Sequence, residues 1–99
     1  MDYKIIWLDD ALQDLDQALQ FIAADSSFAA GRFGEAILKK VALLAQFPRL
    51  GKVYPKLERE DVREILVAPY WIIYRVEDAA KTVGIITVWH TARQAPDMQ

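Results

Sequence analysis

The chain has 99 residues, of which 54% are apolar and 26% charged, with no cysteine, one histidine and a formal net charge of −2. That is apolar material for one core, burying roughly 60 to 70% of the unfolded chain's surface, and too little length for a second domain, so residues 1–99 are expected to form a single unit. The counts exclude a disordered chain, a disulfide scaffold, a thiolate metal site, a cysteine nucleophile and a multi-histidine zinc site; no metal or cofactor is expected.

Charge is distributed unevenly. Asp2, Asp9, Asp10, Asp14, Asp16 and Asp25 face only Lys4 in the first third, whereas Arg32, Lys39, Lys40, Arg49, Lys52 and Lys56 face only Glu35 in residues 32–56. Such polarity either creates a basic face that attracts nucleic acid or an acidic partner, or marks two ordinary solvated helix faces. No apolar run approaches the 18 residues of a membrane span, and the opening MDYKIIWLDD lacks a signal-peptide pattern, so a soluble cytoplasmic protein is expected.

Residues 3–8 are β-branched and aromatic, which predicts a short strand. Asp10 followed by Gln13 resembles a capping box, and Leu8, Leu12, Leu15, Leu19 and Ile22 then recur at helical spacing. Asp25, Ser26 and Ser27 offer N-caps for a second helix with a stripe of Ala30, Phe33, Ile37, Val41 and Leu44, ended by Pro48 and Gly51. Residues 53–61 read as a charged loop. Residues 62–68, 70–76 and 82–89 are rich in Val, Ile, Tyr and Trp and joined by short turns, which predicts an antiparallel meander. Beyond Trp89 the periodicity is lost, and 94–99 read as an exposed tail. The fold class is therefore α+β in the order β-α-α-β-β-β, with a helical hairpin packed on one face of an antiparallel sheet.

Paired carboxylates such as Asp9 with Asp10 and Glu60 with Asp61 lie at a helix start or in a loop, where capping and solubility explain them. The glycines at 31, 34, 51 and 84 are too dispersed for a phosphate loop, and Ser26 and Ser27 are occupied as cap candidates. What remains is a basic and aromatic set: Arg63, Tyr70, Trp71, Tyr74, Arg75, Trp89, His90 and Arg93. Strand alternation turns Tyr70, Ile72, Tyr74 and Val76 toward the helices and Trp71, Ile73 and Arg75 outward. An outward Trp and Arg suit base stacking and phosphate contact, or anchoring to a protein, or plain half-buried packing with the arginine reaching solvent. His90 is the sole group suited to proton transfer near neutral pH.

Five segments together carry a resemblance: AxxDLxxAxxFIA at 11–23, AAxRF at 29–33, LxxFPRLGK at 44–52, REILVAPYWIIYRVED at 63–78 and VWHTAR at 88–93. In this order and spacing the chain resembles the RelE/ParE superfamily, the toxins of type II toxin-antitoxin systems, often called plasmid stabilisation proteins. The resemblance implies a cognate antitoxin that holds the toxin in a hetero-oligomer. RelE-like relatives cut messenger RNA on the ribosome and commonly carry an arginine after the tyrosine of the third strand; here Tyr70 is followed by Trp71, which cannot neutralise phosphorane charge. ParE-like relatives poison DNA gyrase without an active site of their own, and FPRLG and HTAR look like theirs. The ParE-like reading makes Trp71, Arg75, His90 and Arg93 target-binding residues and the chain a non-enzyme. The RelE-like reading makes it an endoribonuclease using Arg63, Arg75, His90 and Arg93, with ribosome and mRNA as partners. A third reading is a non-toxic relative that only binds antitoxin.

Overall fold

The computed structural model describes residues 2–93, so the expected tail at 94–99 lies outside the described residues. Strand β1 (Lys4–Trp7) leads into helix α1 (Asp9–Asp25), which is followed by α2 (Ser27–Leu43), the two-residue strand β2 (Lys52–Val53) and the meander β3 (Val62–Val67), β4 (Tyr70–Glu77) and β5 (Thr82–His90). These strands form one sheet in the order β1-β5-β4-β3-β2. The meander is antiparallel as expected, but β1 lies parallel to β5. The sheet is therefore mixed. Its topology follows from the hairpin, which carries the chain across one face to the far edge; the meander then returns to β1 running in the same direction.

The join between β1 and α1 is set by the sheet rather than by a capping side chain. Leu8 is the N-cap and makes no side-chain cap bond. Its N–H donates to the Ile85 carbonyl at 3.0 Å, and its own carbonyl accepts from Leu12 at 3.0 Å. The cap thus stands two residues before the expected Asp10, leaving Asp9 and Asp10 in the first turn, where their charge favours the positive helix end. The buried stripe is also rotated from the expected one. Ala11 and Ala18 face the core, Leu15, Leu19 and Ile22 are half-buried, and Leu8 and Leu12 remain 45% and 49% exposed. Two alanines let the helix lie close to the sheet, and that contact determines the stripe more than leucine spacing does.

Ser26 closes one helix and opens the next: its N–H donates to the Ile22 carbonyl at 2.9 Å, and its side chain accepts from the Ala29 N–H at 3.1 Å. The expected stripe of α2 is the observed one, with Ala30, Phe33, Ile37 and Val41 buried and Leu44 fully buried beyond the helix. Phe33, Ile37, Val41 and Leu44 join Tyr70, Ile72, Tyr74 and Val76 of β4 and Val83, Ile85 and Val88 of β5 in the main core.

The other face of the sheet is not bare. Residues 54–61, expected as a plain loop, fold across it, and Tyr54, Val62 and Ile73 make a second core with Leu57, Ile86 and Trp89 against it. Ile73 was expected to look outward, and it does, yet it is fully buried because this loop covers it; a side chain of that size contributes about 1.5 to 3 kcal/mol when buried. Among the described residues, no helix is long and apolar enough to cross a membrane.

Candidate functional site

The structure does not bring the expected site residues together: Trp71, His90 and Arg93 lie at the sheet end formed by Tyr70 and His90, Arg63 and Arg75 lie toward the other end, and the set is divided between two faces. On the outer face Trp71 pairs in register with Leu66 on one side and Trp89 on the other. The Lys52 ammonium lies 5.1 Å from the Trp71 ring centroid and 3.5 Å from Oε2 of the buried Glu64. Among the described residues, none partners the buried indole N–H of Trp89.

Arg75 is on the same face, closed in by acids. Its Nε donates to Asp61 Oδ2 at 3.1 Å and its Nη1 lies 3.2 Å from Glu77 Oε1. Asp61 also receives both Arg59 bonds, at 2.6 and 3.0 Å. The Arg59 guanidinium first, and that of Arg75 after it, hold the Asp61 carboxyl below the usual carboxylate range.

Arg63 belongs to neither surface. It pairs in register with Tyr74, so alternation turns it toward the helix side. There its side chain, 12% exposed, donates to the carbonyls of Gly51 at 2.9 Å, Glu60 at 3.0 Å and Arg49 at 3.4 Å. The Tyr74 hydroxyl accepts from the Gly51 N–H at 2.8 Å, and burial pushes that phenol up from its ordinary value. Arg63 and Tyr74 thus brace the turn that delivers the chain from α2 to β2.

His90 and Arg93 lie on the helix side, away from the outward face of Trp71 and Arg75. His90 pairs with Tyr70, an inward residue, while its neighbour Trp89 pairs with outward Trp71; consecutive residues of a strand take opposite faces. The His90 and Tyr70 rings meet edge to face at 5.1 Å, and Tyr70 packs on Phe33 at 5.0 Å. His90 Nδ1 accepts from the Ala92 N–H at 3.0 Å, which in the neutral ring puts the proton on Nε2.

A groove of about 450 Å³ runs between α1 and this strand end, lined by Asp14, Gln17 and Phe21 of the helix with Tyr70, Val88, His90 and Arg93. The helical contributors were missed in the sequence, where their one signal was Phe21, a large apolar residue off the core stripe and 73% exposed. Asp14 is engaged already: its Oδ2 accepts from the Thr87 hydroxyl and from the Val88 N–H at 3.2 Å. This contact sits at a bulge, where Ile73 pairs with Thr87 but Tyr74 pairs with Ile85. Arg93 has no ion-pair partner among the described residues, so the groove offers a cation, an imidazole, an amide and an exposed aromatic ring. Among the described residues no cluster of His, Asp and Glu has the makings of a metal site.

A family model described as the ParE toxin of the type II toxin-antitoxin system parDE matches residues 5–95. The chain belongs to this family. It is 33% identical over 97 residues to a putative toxin of Sinorhizobium fredii, covering 96% of this chain and 95% of that one. It is 32% identical over 90 residues to toxin RelE2 of Caulobacter vibrioides, covering 91% and 97%. Among solved structures, the chromosomal ParDE system of P. aeruginosa superposes with a TM-score of 0.70 at 23% identity, covering 89% of this chain and 95% of that one, a likeness of fold. The RelBE2 toxin-antitoxin complex of Mycobacterium tuberculosis gives 0.56 at 28% identity over 91% and 99%. This ParE-family chain is thus a type II toxin of the ParE/RelE superfamily.

Proposed function

We propose that this toxin acts by binding DNA gyrase, without cutting RNA, and that a cognate antitoxin neutralises it. The observation that carries the reading is the separation of Arg75 from His90 onto opposite faces of the sheet. A nuclease stabilising a phosphorane needs its cations and its proton-transfer group converging on the same few ångströms. Here Arg63 is spent on backbone carbonyls, Arg75 is closed by Asp61 and Glu77, and Trp71 carries no charge. A binding surface needs no such convergence. Phe21, Tyr70 and Arg93 are the residue types that anchor protein interfaces, and they line one groove with His90.

The test pairs two readouts. Purified toxin is expected to block supercoiling by gyrase and accumulate cleaved DNA, while primer extension on RNA from induced cells shows no new messenger ends. Cleavage of mRNA in the ribosomal A site by the wild-type protein would replace this reading with the ribonuclease. Neither effect, with antitoxin binding retained, would identify a non-toxic relative.

A further inference from the structure

Arg49, Arg63 and Arg75 are each fixed at the guanidinium: Arg49 by Asp78, Arg63 by backbone carbonyls, and Arg75 by Asp61 with Glu77. Arg93 differs. Among the described residues that line the helix-side groove it is the one arginine or lysine, and no acid among the described residues pairs with it. Where its charge stands therefore depends on the backbone that carries it.

That backbone is a turn built on the last residue of β5. The Thr91 N–H donates to the Pro69 carbonyl at 2.9 Å, tying the turn to the connection between β3 and β4. The Arg93 N–H donates to the His90 carbonyl at 3.0 Å, and the Ala92 N–H between them donates to His90 Nδ1 at 3.0 Å. Both bonds nearest Arg93 thus end on His90. The imidazole is itself held, edge to face with Tyr70 at 5.1 Å, and Tyr70 stands on Phe33 of α2 at 5.0 Å. Contacts run without a break from the core, through two rings, to the turn. The bond to Ala92 has the pattern of an Asx turn, in which a side-chain acceptor takes the N–H two residues on. An asparagine can also make it, whereas a phenylalanine has no acceptor.

We propose that His90 is a positioning residue for target binding, which acts through Arg93: the Nδ1 lone pair fixes the turn that presents the guanidinium at the groove. The ring makes this bond only while Nδ1 carries no proton. Arg93 is the group that meets the target, and His90 contributes by restricting where that charge can be before the target arrives, which lowers the ordering cost of binding. The inference rests on the gyrase reading above and assigns these two residues of its groove separate roles.

The experiment uses the full-length toxin and two substitutions. His90→Phe keeps a ring against Tyr70 and removes the acceptor, whereas His90→Asn removes the ring and keeps an acceptor. By amide nitrogen relaxation, Ala92 and Arg93 are expected to be ordered in the wild type and in His90→Asn, and to fall toward the order parameter of flexible backbone, about 0.6, in His90→Phe. Gyrase affinity is expected to fall about three- to tenfold in His90→Phe, the worth of one hydrogen bond, and to be restored in His90→Asn. In an Arg93→Ala background His90→Phe is expected to cost nothing further, because the group it positions is gone. Unaltered amide order or affinity in His90→Phe, a loss that His90→Asn does not restore, or a loss that persists undiminished without Arg93 overturns the positioning role and leaves the gyrase reading standing. A wild-type toxin that does not bind gyrase overturns both.

Discussion

Arg49 and Asp78 form a two-point ion pair across 29 positions of sequence, Nη2 to Oδ2 at 2.8 Å and Nη1 to Oδ1 at 3.2 Å. The Tyr3 hydroxyl donates to the same carboxylate at 2.5 Å. One aspartate in the β4–β5 turn thereby ties the residue before β1 to the turn after α2. Arg49, and then Tyr3, lower its carboxyl to about 2. A depressed folded-state value means that this contribution to stability is fully present above the ordinary carboxylate range and is lost as pH falls through that range toward about 2. The group is solvent-exposed, so the effect is screened. Thermal midpoints measured from pH 6 down to pH 2 are expected to fall less steeply for Asp78→Asn than for the wild type, with the difference in slope confined to pH below about 5. Parallel curves would show that the pair adds nothing.

Gly51 occupies a position where no side chain fits. A Cβ there would stand 2.5 Å from the Glu64 carbonyl oxygen and 2.8 Å from the Tyr74 hydroxyl. The first is backbone of a paired strand and cannot yield cheaply. Gly51→Ala is expected to destabilise the fold by about 1 to 3 kcal/mol in urea unfolding, with Tyr74→Phe costing about as much because the buried Gly51 N–H loses its acceptor.

Arg63 separates a structural role from a catalytic one. Arg63→Ala leaves the carbonyls of Gly51 and Glu60 without their donor, and is expected to cost about 1 to 3 kcal/mol of stability. Toxicity per folded molecule should be unchanged at a temperature where the variant remains folded. A loss of activity by about 10² or more with full stability would instead place the guanidinium on a reacting group.

The two faces predict opposite outcomes for target binding. Phe21→Ala and Arg93→Ala lie in the helix-side groove, and each is expected to weaken gyrase binding by at least about tenfold, the loss typical of an interface anchor. Phe21 is 73% exposed, so its removal should leave the thermal midpoint nearly unaltered. Arg75→Ala, on the opposite face, should leave gyrase affinity unchanged. Equal losses from Arg75 and Arg93 would refute the assignment of the target to one face.

What the sequence determined by itself was local: the two helices, the Ser26 cap, the stripe of α2, the three strands of the meander and the inward set of β4. Each depends on a period of 2 or 3.6 or on a short-range hydrogen bond, which neighbouring residues encode. The opposite placement of Trp89 and His90 was legible in the same way, since adjacent strand residues diverge, and the basic and aromatic cluster had hidden it. The tertiary structure alone decided the rest. Periodicity marks a face as apolar without naming what covers it, so the rotation of α1 onto Ala11 and Ala18 and the burial of Ile73 under Tyr54 had to come from packing. The parallel pairing of β1 with β5, the spending of Arg63 on the Gly51 and Glu60 carbonyls, and the meeting of Phe21 with His90 join residues 12 to 78 positions apart or close a sharp turn. No local pattern records those contacts; they exist because closing the chain around two cores brings their partners within reach.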